Sequence, residues 1–382
     1  MIETNKIYQG DALEVLKTFT DESINCVMTS PPYWALRDYG NEKQLGLEKT
    51  FDEYINKLCD IFDEVKRVLR KDGTCWVNIG DSYSGNMGKK NGWTDNKLGF
   101  EKQEAIDKGV CLTNKNKFEY SLPQKCLIGI PFRFAIEMIN RGWILRNTII
   151  WYKPNCMPSS VKDRFTTDFE YLFFFVKSKK YYFETQYEPI AEISMKDKRK
   201  DKGRFEYNGK RRKFKEVTLS KVPYAIQPRD KEFALVPQSE MMGINSYGRN
   251  KRAVWRITTK PFKESHFAVF PEELCETPLK AGCPENGIVL DPFMGSGTTG
   301  LSALKQNKRF IGIELNPKYV EIANNRLKPY LEQTKLKLLS KIGDVSDNSQ
   351  ENLSKDNPAP LDTLRGSKIG DVQQSKEKRN EK

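Results

Sequence analysis

Two short stretches of the chain combine residue types that could do chemistry. The first, NCVMTSPPYW at residues 25–34, runs an apolar strand into Ser30, Pro31, Pro32, Tyr33 and Trp34. Tandem prolines are an ordinary way to end a strand, since proline fixes φ and offers no backbone N–H. Here they also hold a hydroxyl and a carbonyl beside a flat phenol ring. The second stretch, GIVLDPFMGSGTTG at 287–300, is an apolar strand, an acidic residue (Asp291), a tight turn and a helix start. Gly295, Gly297 and Gly300 keep the Gly-x-Gly-x-x-Gly spacing, and Glu314 ends the next apolar run 19 residues after Gly295. Glycine lets the backbone approach a ligand where a Cβ would collide. An acidic side chain at that distance suits the ribose hydroxyls of a nucleotide cofactor.

Dinucleotide enzymes usually open with such a unit, whereas this one lies near residue 290 and is preceded by an extra Asp-Pro-Phe. DPFMGSGTTG with FIGIEL resembles the S-adenosylmethionine loop of amino-group DNA methyltransferases. TSPPYW resembles their catalytic motif, a Ser, Asp or Asn followed by Pro-Pro and an aromatic residue. The resemblance covers about residues 5–185 and 255–331. The catalytic motif comes first, a basic segment second and the cofactor loop last. That order resembles the β class, and it differs from glutamine-protein methyltransferases with a related Pro-Pro-Tyr motif, which place the cofactor loop first.

The resemblance implies an α/β, circularly permuted Rossmann-like methyltransferase fold. Its sheet would be mixed, mostly parallel and seven-stranded, with helices on both faces. It assigns catalysis to Ser30, Pro31, Pro32 and Tyr33. S-adenosyl-L-methionine, with no metal, would be held by Asp11, Pro271, Asp291, Phe293, Gly295, Ser296, Gly297, Thr298, Thr299 and Glu314. Asp11 would contact the adenine, and HFAVFPEEL, containing Pro271, would close over the methionine end. IIWYKPN flanks the target-base pocket, through Trp151, Lys153, Pro154 and Asn155. Trp34 or Trp151 would make a second wall beside Tyr33, unless they are ordinary core residues.

The chemistry follows from the substrate. An exocyclic amino group is a poor nucleophile because its lone pair is delocalised into the base. Acceptors fixed at its two N–H positions favour the tetrahedral geometry and strengthen as charge develops. Ser30 Oγ and the Pro31 carbonyl are the natural pair, and Tyr33 would stack on the base. A base in a duplex must be flipped out to reach them. The Ser form of the motif is associated with cytosine N4 and the Asp form with adenine N6, so cytosine N4 is expected, with adenine N6 as the alternative. Two further readings are RNA amino-group methylation and an NAD-dependent oxidoreductase, and the latter leaves SPPYW unexplained. A 5-carbon cytosine enzyme would need a nucleophilic Cys in a Pro-Cys context, and none of the eight cysteines follows a proline.

These motifs need a scaffold. Strands alternate with helical patterns up to about residue 185, which implies a largely parallel sheet. FDEYINKLCDIFDEVKRVL has a helical apolar period ending at KDGT, with Gly73 as its stop. FEYLFFFVKS is continuously apolar and is expected to be buried on both faces. Residues 1–185 form the catalytic half, with a mobile loop at 84–120, and 263–331 form the cofactor-binding half. Residues 186–262 are the expected target-recognition region.

Composition agrees with a nucleic-acid partner. The 382-residue chain carries a formal charge of +13, which suits a polyanion. Between Lys196 and Lys215 lie eleven Lys or Arg against three Asp or Glu. Lys198, Arg199, Lys200, Lys202, Arg204, Lys210, Arg211, Arg212 and Lys213 are the expected contacts to the phosphates of double-stranded DNA. A solvated, disordered loop is the other reading of that run. Residues 332–382 lack aromatics, repeat the hexapeptide SKIGDV and read as a disordered tail. One histidine and no Cys-x-x-Cys spacing argue against a His/Cys metal site. No apolar run is long enough for a membrane span. A cytoplasmic, nucleoid-associated monomer or homodimer is expected, with a separately encoded restriction endonuclease as a partner.

Overall fold

Strand and helix alternate along the chain as β1 (Lys6–Gln9), α1 (Ala12–Lys17), β2 (Ile24–Thr29), α2 (Phe51–Val68), β3 (Leu69–Ile79), α3 (Ile130–Asn140), β4 (Ile144–Tyr152) and β5 (Phe169–Val176). Four two-residue strands follow, β6 (Tyr187–Glu188), β7 (Glu206–Tyr207), β8 (Lys210–Arg211) and β9 (Arg249–Asn250). The chain then builds β10 (Val254–Arg256), α4 (Glu272–Gly282), β11 (Ile288–Asp291), α5 (Thr298–Lys305), β12 (Arg309–Glu314) and α6 (317–333). This computed structural model describes residues 2–36, 43–84, 122–189, 248–260 and 269–333, and the backbone alone of 206–207 and 210–211. The expected mobile loop, the tail beyond residue 333 and most of the basic segment lie outside the described residues. Within that segment β7 pairs antiparallel with β8.

The main sheet has eight strands in the order β1-β12-β11-β2-β3-β5-β4-β10. The expected number was seven. The addition is the short β10, which pairs parallel to β4 through Val254, Trp255 and Arg256. Only β5 runs against the others. Seven strands therefore deliver their C-terminal ends to one edge, and β5 delivers its N-terminal end, Phe169 and Glu170, to that same edge. From β2 the chain proceeds outward to β3, and from β11 it proceeds the other way to β12. The crevice between β2 and β11 is thus the topological switch point, where open α/β sheets bind ligands.

Two apolar layers cover the sheet. On one face α1, α2 and α3 pack Leu16, Leu58, Phe62 and Phe134 against Phe173 and Phe175. On the other, α4, α5 and α6 pack Leu274, Leu279, Leu301 and Leu327 with Leu172, Phe174 and Val176. The alternation along β5 explains its continuous apolar run: successive residues supply opposite cores, and Leu172–Val176 are fully buried.

Helix α2 begins as its sequence dictates. Thr50 caps it by accepting from the Glu53 amide at 3.1 Å, half of a capping box. Its end differs from expectation. The helix stops at Val68, and Gly73 lies inside β3. The last carbonyls are satisfied by Lys177 from the end of β5, which donates to Lys66 O at 3.0 Å and to Leu69 O. Gly73 serves packing instead, because a Cβ there would meet Leu69 Cδ1 at 2.6 Å.

Gly282, at the end of α4, touches the sheet directly. Its carbonyl accepts from Thr74 Oγ1 at 2.8 Å, and a Cβ would press on that oxygen and lie 2.6 Å from Trp76 Nε1. Trp76 is itself fixed by stacking on Phe174 at 3.9 Å. Neither neighbour can yield cheaply, so Gly282→Ala is expected to destabilise the fold by about 2 kcal/mol, within the range for overpacked cores. Urea denaturation of the variant beside the wild type measures it; equal midpoints would contradict this packing.

Candidate active site

A cavity of about 1020 Å³ opens at the C-terminal edge of the sheet. Single-ligand pockets run to roughly 1,000 Å³, so it has room for a cofactor and a base together. Ser30, Pro31, Pro32 and Tyr33 line one part of it, and Asp11, Phe293, Gly295, Ser296, Thr298 and Glu314 another. Trp151 and Lys153 also line the wall. The sequence motifs, some 260 residues apart, therefore converge on a single space.

The serine hydroxyl is oriented by its neighbours. Asn78, at the end of β3, donates its two amide N–H groups to Glu170 Oε2 and Tyr171 O, both at 3.1 Å. Its Oδ1 therefore faces Ser30 Oγ at 3.2 Å and Tyr33 Oη at 3.3 Å. Because Oδ1 can only accept, Ser30 donates its single proton in this bond, which leaves its oxygen to accept. Tyr33 gives its single proton to Glu170 Oε2, the shorter contact at 2.7 Å, and Lys153 pairs with Glu170 Oε1 at 2.8 Å. Burial, with the Glu170 charge beside it, pushes the Tyr33 phenol well above its ordinary value. It stays protonated and holds its place. The Pro32 carbonyl accepts from Tyr54 Oη at 2.9 Å, which braces the turn.

Behind the cavity a second network fastens the two motifs together. Asp291 is fully buried and accepts from Thr29 Oγ1 at 2.6 Å, Thr299 Oγ1 at 2.7 Å and the Phe293 amide at 3.0 Å. Glu314 holds the glycine turn, accepting from the Gly295 amide and the Asn316 amide, each at 2.8 Å. Burial raises the Glu314 carboxyl above its ordinary value. Gly295 is left-handed, with φ of +52°. The nearest atom to a Cβ placed there would be Phe293 O at 3.9 Å, so the turn leaves open space beside the cavity. Arg326 from α6 donates to Ser296 O at 3.1 Å and to Thr298 Oγ1 at 2.9 Å. Asp11 caps α1 by accepting from the Glu14 amide at 3.1 Å, and it lines the cavity.

Several expected site residues lie elsewhere. Trp34 is core: it is 1% exposed, packs edge-on against Phe51 and donates to Glu48 O at 3.0 Å. The chain turns just beyond it, with Ala35 in the left-handed region. Asp291, Gly297 and Thr299 sit behind the cavity wall and brace it. Pro271 is buried at the start of α4, and its neighbours Val269 and Phe270 reach the cavity instead. Asn155 is exposed and exchanges two hydrogen bonds of 3.0 Å with the Thr259 backbone, and Pro154 does not line the wall either. Of the expected phosphate contacts, Lys210 and Arg211 form β8, and the others lie outside the described residues.

Sequence reasoning missed Asn78, Glu170, Lys43, Glu48 and Tyr319, all on the cavity wall. Two of them had signals. Asn78 is a polar residue near the C-terminal end of an apolar parallel strand, and Glu170 is the one charge within β5.

The described residues thus form a permuted nucleotide-type α/β fold whose switch point holds the Ser-Pro-Pro-Tyr turn beside a glycine loop, the arrangement of an amino-group methyltransferase. The profile of the DNA methylase family, covering N6 and N4 enzymes, matches residues 24–325, and the chain belongs to that family. Its methyl donor is S-adenosylmethionine. The chain is 39% identical over 321 residues to type II methyltransferase M.Cfr9I of Citrobacter freundii, covering 84% of this chain and 87% of the relative. It is 38% identical to type II methyltransferase M.SmaI of Serratia marcescens, covering 84% and 90%. Among solved structures the PvuII DNA methyltransferase (cytosine-N4-specific) shares the fold, with a TM-score of 0.52 at 20% identity, covering 85% and 86%. The open space at Gly295, the backbone-bonded Glu314 carboxylate and the size of the cavity fit this donor. Among the described residues no group of His, Cys, Asp or Glu is placed to hold a metal, and no helix is long and apolar enough to cross a membrane.

Burial pushes the Asp291 carboxyl up from 3.8 to about 6, against the pull of its three donors. Between those values the native state binds the proton more readily than the unfolded chain. The contribution of this group to stability is therefore greatest below pH 3.8 and is lost as pH rises through about 6, by about 3 kcal/mol at most. Asn fits the site, because Thr299 Oγ1 also reaches Met28 O at 3.2 Å and can donate there while accepting from an amide. Asp291→Asn is expected to flatten stability between pH 4 and 6, whereas Asp291→Ala takes the acceptor from Thr29 Oγ1 and the Phe293 amide and costs about 2–4 kcal/mol. Chemical denaturation across that range distinguishes them; parallel pH profiles for wild type and Asp291→Asn would refute the assignment.

Proposed function

We propose that the chain is a site-specific DNA methyltransferase that methylates the N4 amino group of a cytosine flipped out of double-stranded DNA. The observation that carries this reading is the commitment of the Ser30 proton to Asn78 Oδ1 at 3.2 Å. An amino group entering the cavity meets a hydroxyl oxygen that can accept and has no proton left to offer. The Pro31 carbonyl supplies a second acceptor, and together they favour a tetrahedral nitrogen whose lone pair points away from the ring. Tyr33, tethered through its hydroxyl, offers its ring face to the base, and Trp151 is the opposing wall. S-adenosylmethionine supplies an electrophilic methyl group carried on a sulfonium. Asp11 and Glu314 are the acceptors for the adenine and ribose, and Phe293, Gly295, Ser296 and Thr298 shape the turn against it.

Cytosine is favoured because Ser30 occupies the first motif position, the form associated with N4 rather than N6. The basic run from Lys198 to Lys213 takes the DNA phosphates within a target-recognition region of 186–262. The type II relatives support a place in a restriction-modification system with a separately encoded endonuclease, and the absence of a candidate membrane helix among the described residues fits action on DNA in the cytoplasm.

Nucleoside mass spectrometry of DNA from cells expressing the chain is expected to reveal N4-methylcytosine. N6-methyladenine as the sole product would establish the adenine alternative. Ser30→Ala is expected to reduce kcat by about 10²–10³-fold, the effect of losing one preorganised polar contact, with cofactor affinity unchanged in equilibrium dialysis. Glu170→Gln should lower kcat by about 10–100-fold through misplacement of Asn78 and Tyr33. Unaltered turnover in both variants would remove this network from the mechanism.

A further inference from the structure

The connection from β4 to β5 has features that the site described above does not use. It leaves the cavity wall at Lys153 and returns to it at Glu170, and its base is closed by the Lys153 amide donating to Asp168 O at 2.7 Å. Between these stems, residues 157–167 are all exposed. Three are large and apolar: Met157 is 88% exposed, Phe165 97% and Val161 41%. A phenylalanine so fully in water forfeits the burial that normally stabilises it.

The segment is nevertheless anchored. The Arg164 guanidinium lies over the Tyr83 ring at 3.7 Å from its centroid. Asp163 pairs with Lys125 at 2.6 Å, and Asn155 is pinned to Thr259. Phe165 is therefore the next side chain after a fixed point, exposed on a segment whose two stems, Lys153 and Glu170, line the cavity. The charges around it suit one kind of partner. Asp163 is neutralised by Lys125, which leaves Lys162 and Arg164 as cations flanking the apolar tips. Apolar wedges interleaved with cations suit a stacked polyanion, and duplex proteins that kink or open DNA insert such side chains between base steps.

We propose that the 153–168 loop is the wedge that opens the duplex, with Phe165 entering the base stack beside the target nucleotide and Met157 packing on the neighbouring step. This rests on the reading that the cavity takes a flipped base. Extrusion leaves a gap in the helix. Phe165 fills it from the rim, and the aromatic face offsets the stacking that the target base gives up.

The test uses the full chain and a duplex carrying the methylation site found by sequencing DNA from expressing cells. A second duplex has an abasic position opposite the target base, so that the target is already unpaired. Phe165→Ala is expected to lose about tenfold or more in kcat/KM on the paired duplex, the size of one lost base–aromatic stack. It should recover to near wild type on the unpaired duplex, and Phe165→Trp should restore the paired reaction. 2-Aminopurine at the target position should brighten on wild-type binding and much less with Phe165→Ala. Equal losses on the two duplexes, or no loss on either, would overturn the proposal. So would a shift from dimer to monomer in sedimentation with unchanged kinetics, which would assign the loop to self-association. A wild-type chain that methylates neither duplex would instead refute the active-site reading.

Discussion

The structure depends on one buried carboxylate. Asp291 ends β11 at the switch point and accepts from the last residue of β2 and from the first turn of α5. Each bond joins parts of the chain that carry different tasks. Thr29 precedes Ser30, so its bond fixes where the Ser-Pro-Pro-Tyr turn begins. Thr299 follows the glycine turn, so its bond fixes where the cofactor loop ends. A charge in so dry a place is costly, and three donors offset that cost only in part, so the carboxyl is pushed up to about 6. The same arrangement explains why the residue does not line the cavity: its acceptor capacity is spent on holding the wall.

The sequence made the two motifs legible because each is local. Gly295, Gly297 and Gly300 are bound to one turn, and Glu314 follows at the distance set by one helix and one strand. The parallel sheet was also legible, from alternating strand and helix patterns and from the continuous apolar run Leu172–Val176 of β5. What stayed hidden depends on contacts across space. Lys177 satisfies the end of α2 from more than a hundred residues away, so a nearby glycine looked like the stop. Glu170 reaches the site because β5 is the one strand that runs backwards, a fact no local pattern records. Trp34 read equally as a pocket wall or as core, and what makes it core is its packing against Phe51, a contact 17 residues away that no local pattern records.

The polar network around Ser30 is close to neutral. Asn78 carries no charge, and the Glu170 carboxylate is matched by Lys153, both less than one-fifth exposed. A half-buried pair of this kind contributes little net stability, because desolvation offsets attraction. Its worth lies in orientation. Glu170 accepts from Lys153, Tyr33 and Asn78 together, and those bonds leave Asn78 one way to face. The direction of the Ser30 proton is therefore set two residues away from Ser30.

This has a consequence for how such a site accelerates methyl transfer. On the proposed reading, in which the amino group meets the Ser30 hydroxyl and the Pro31 carbonyl, the local field does little to raise nucleophilicity. The remaining source is geometry: acceptors that meet both N–H bonds of a pyramidal nitrogen better than those of a planar one. Such selectivity survives only if the acceptors cannot relax toward the planar substrate. Tyr54 on the Pro32 carbonyl, Asn78 on Ser30 and the proline rings themselves each remove one way for the turn to relax. The abrupt end of β2 is on this argument the active device. Its two prolines stop a strand, and in stopping it they hold two oxygen atoms where a flexible turn would let them drift.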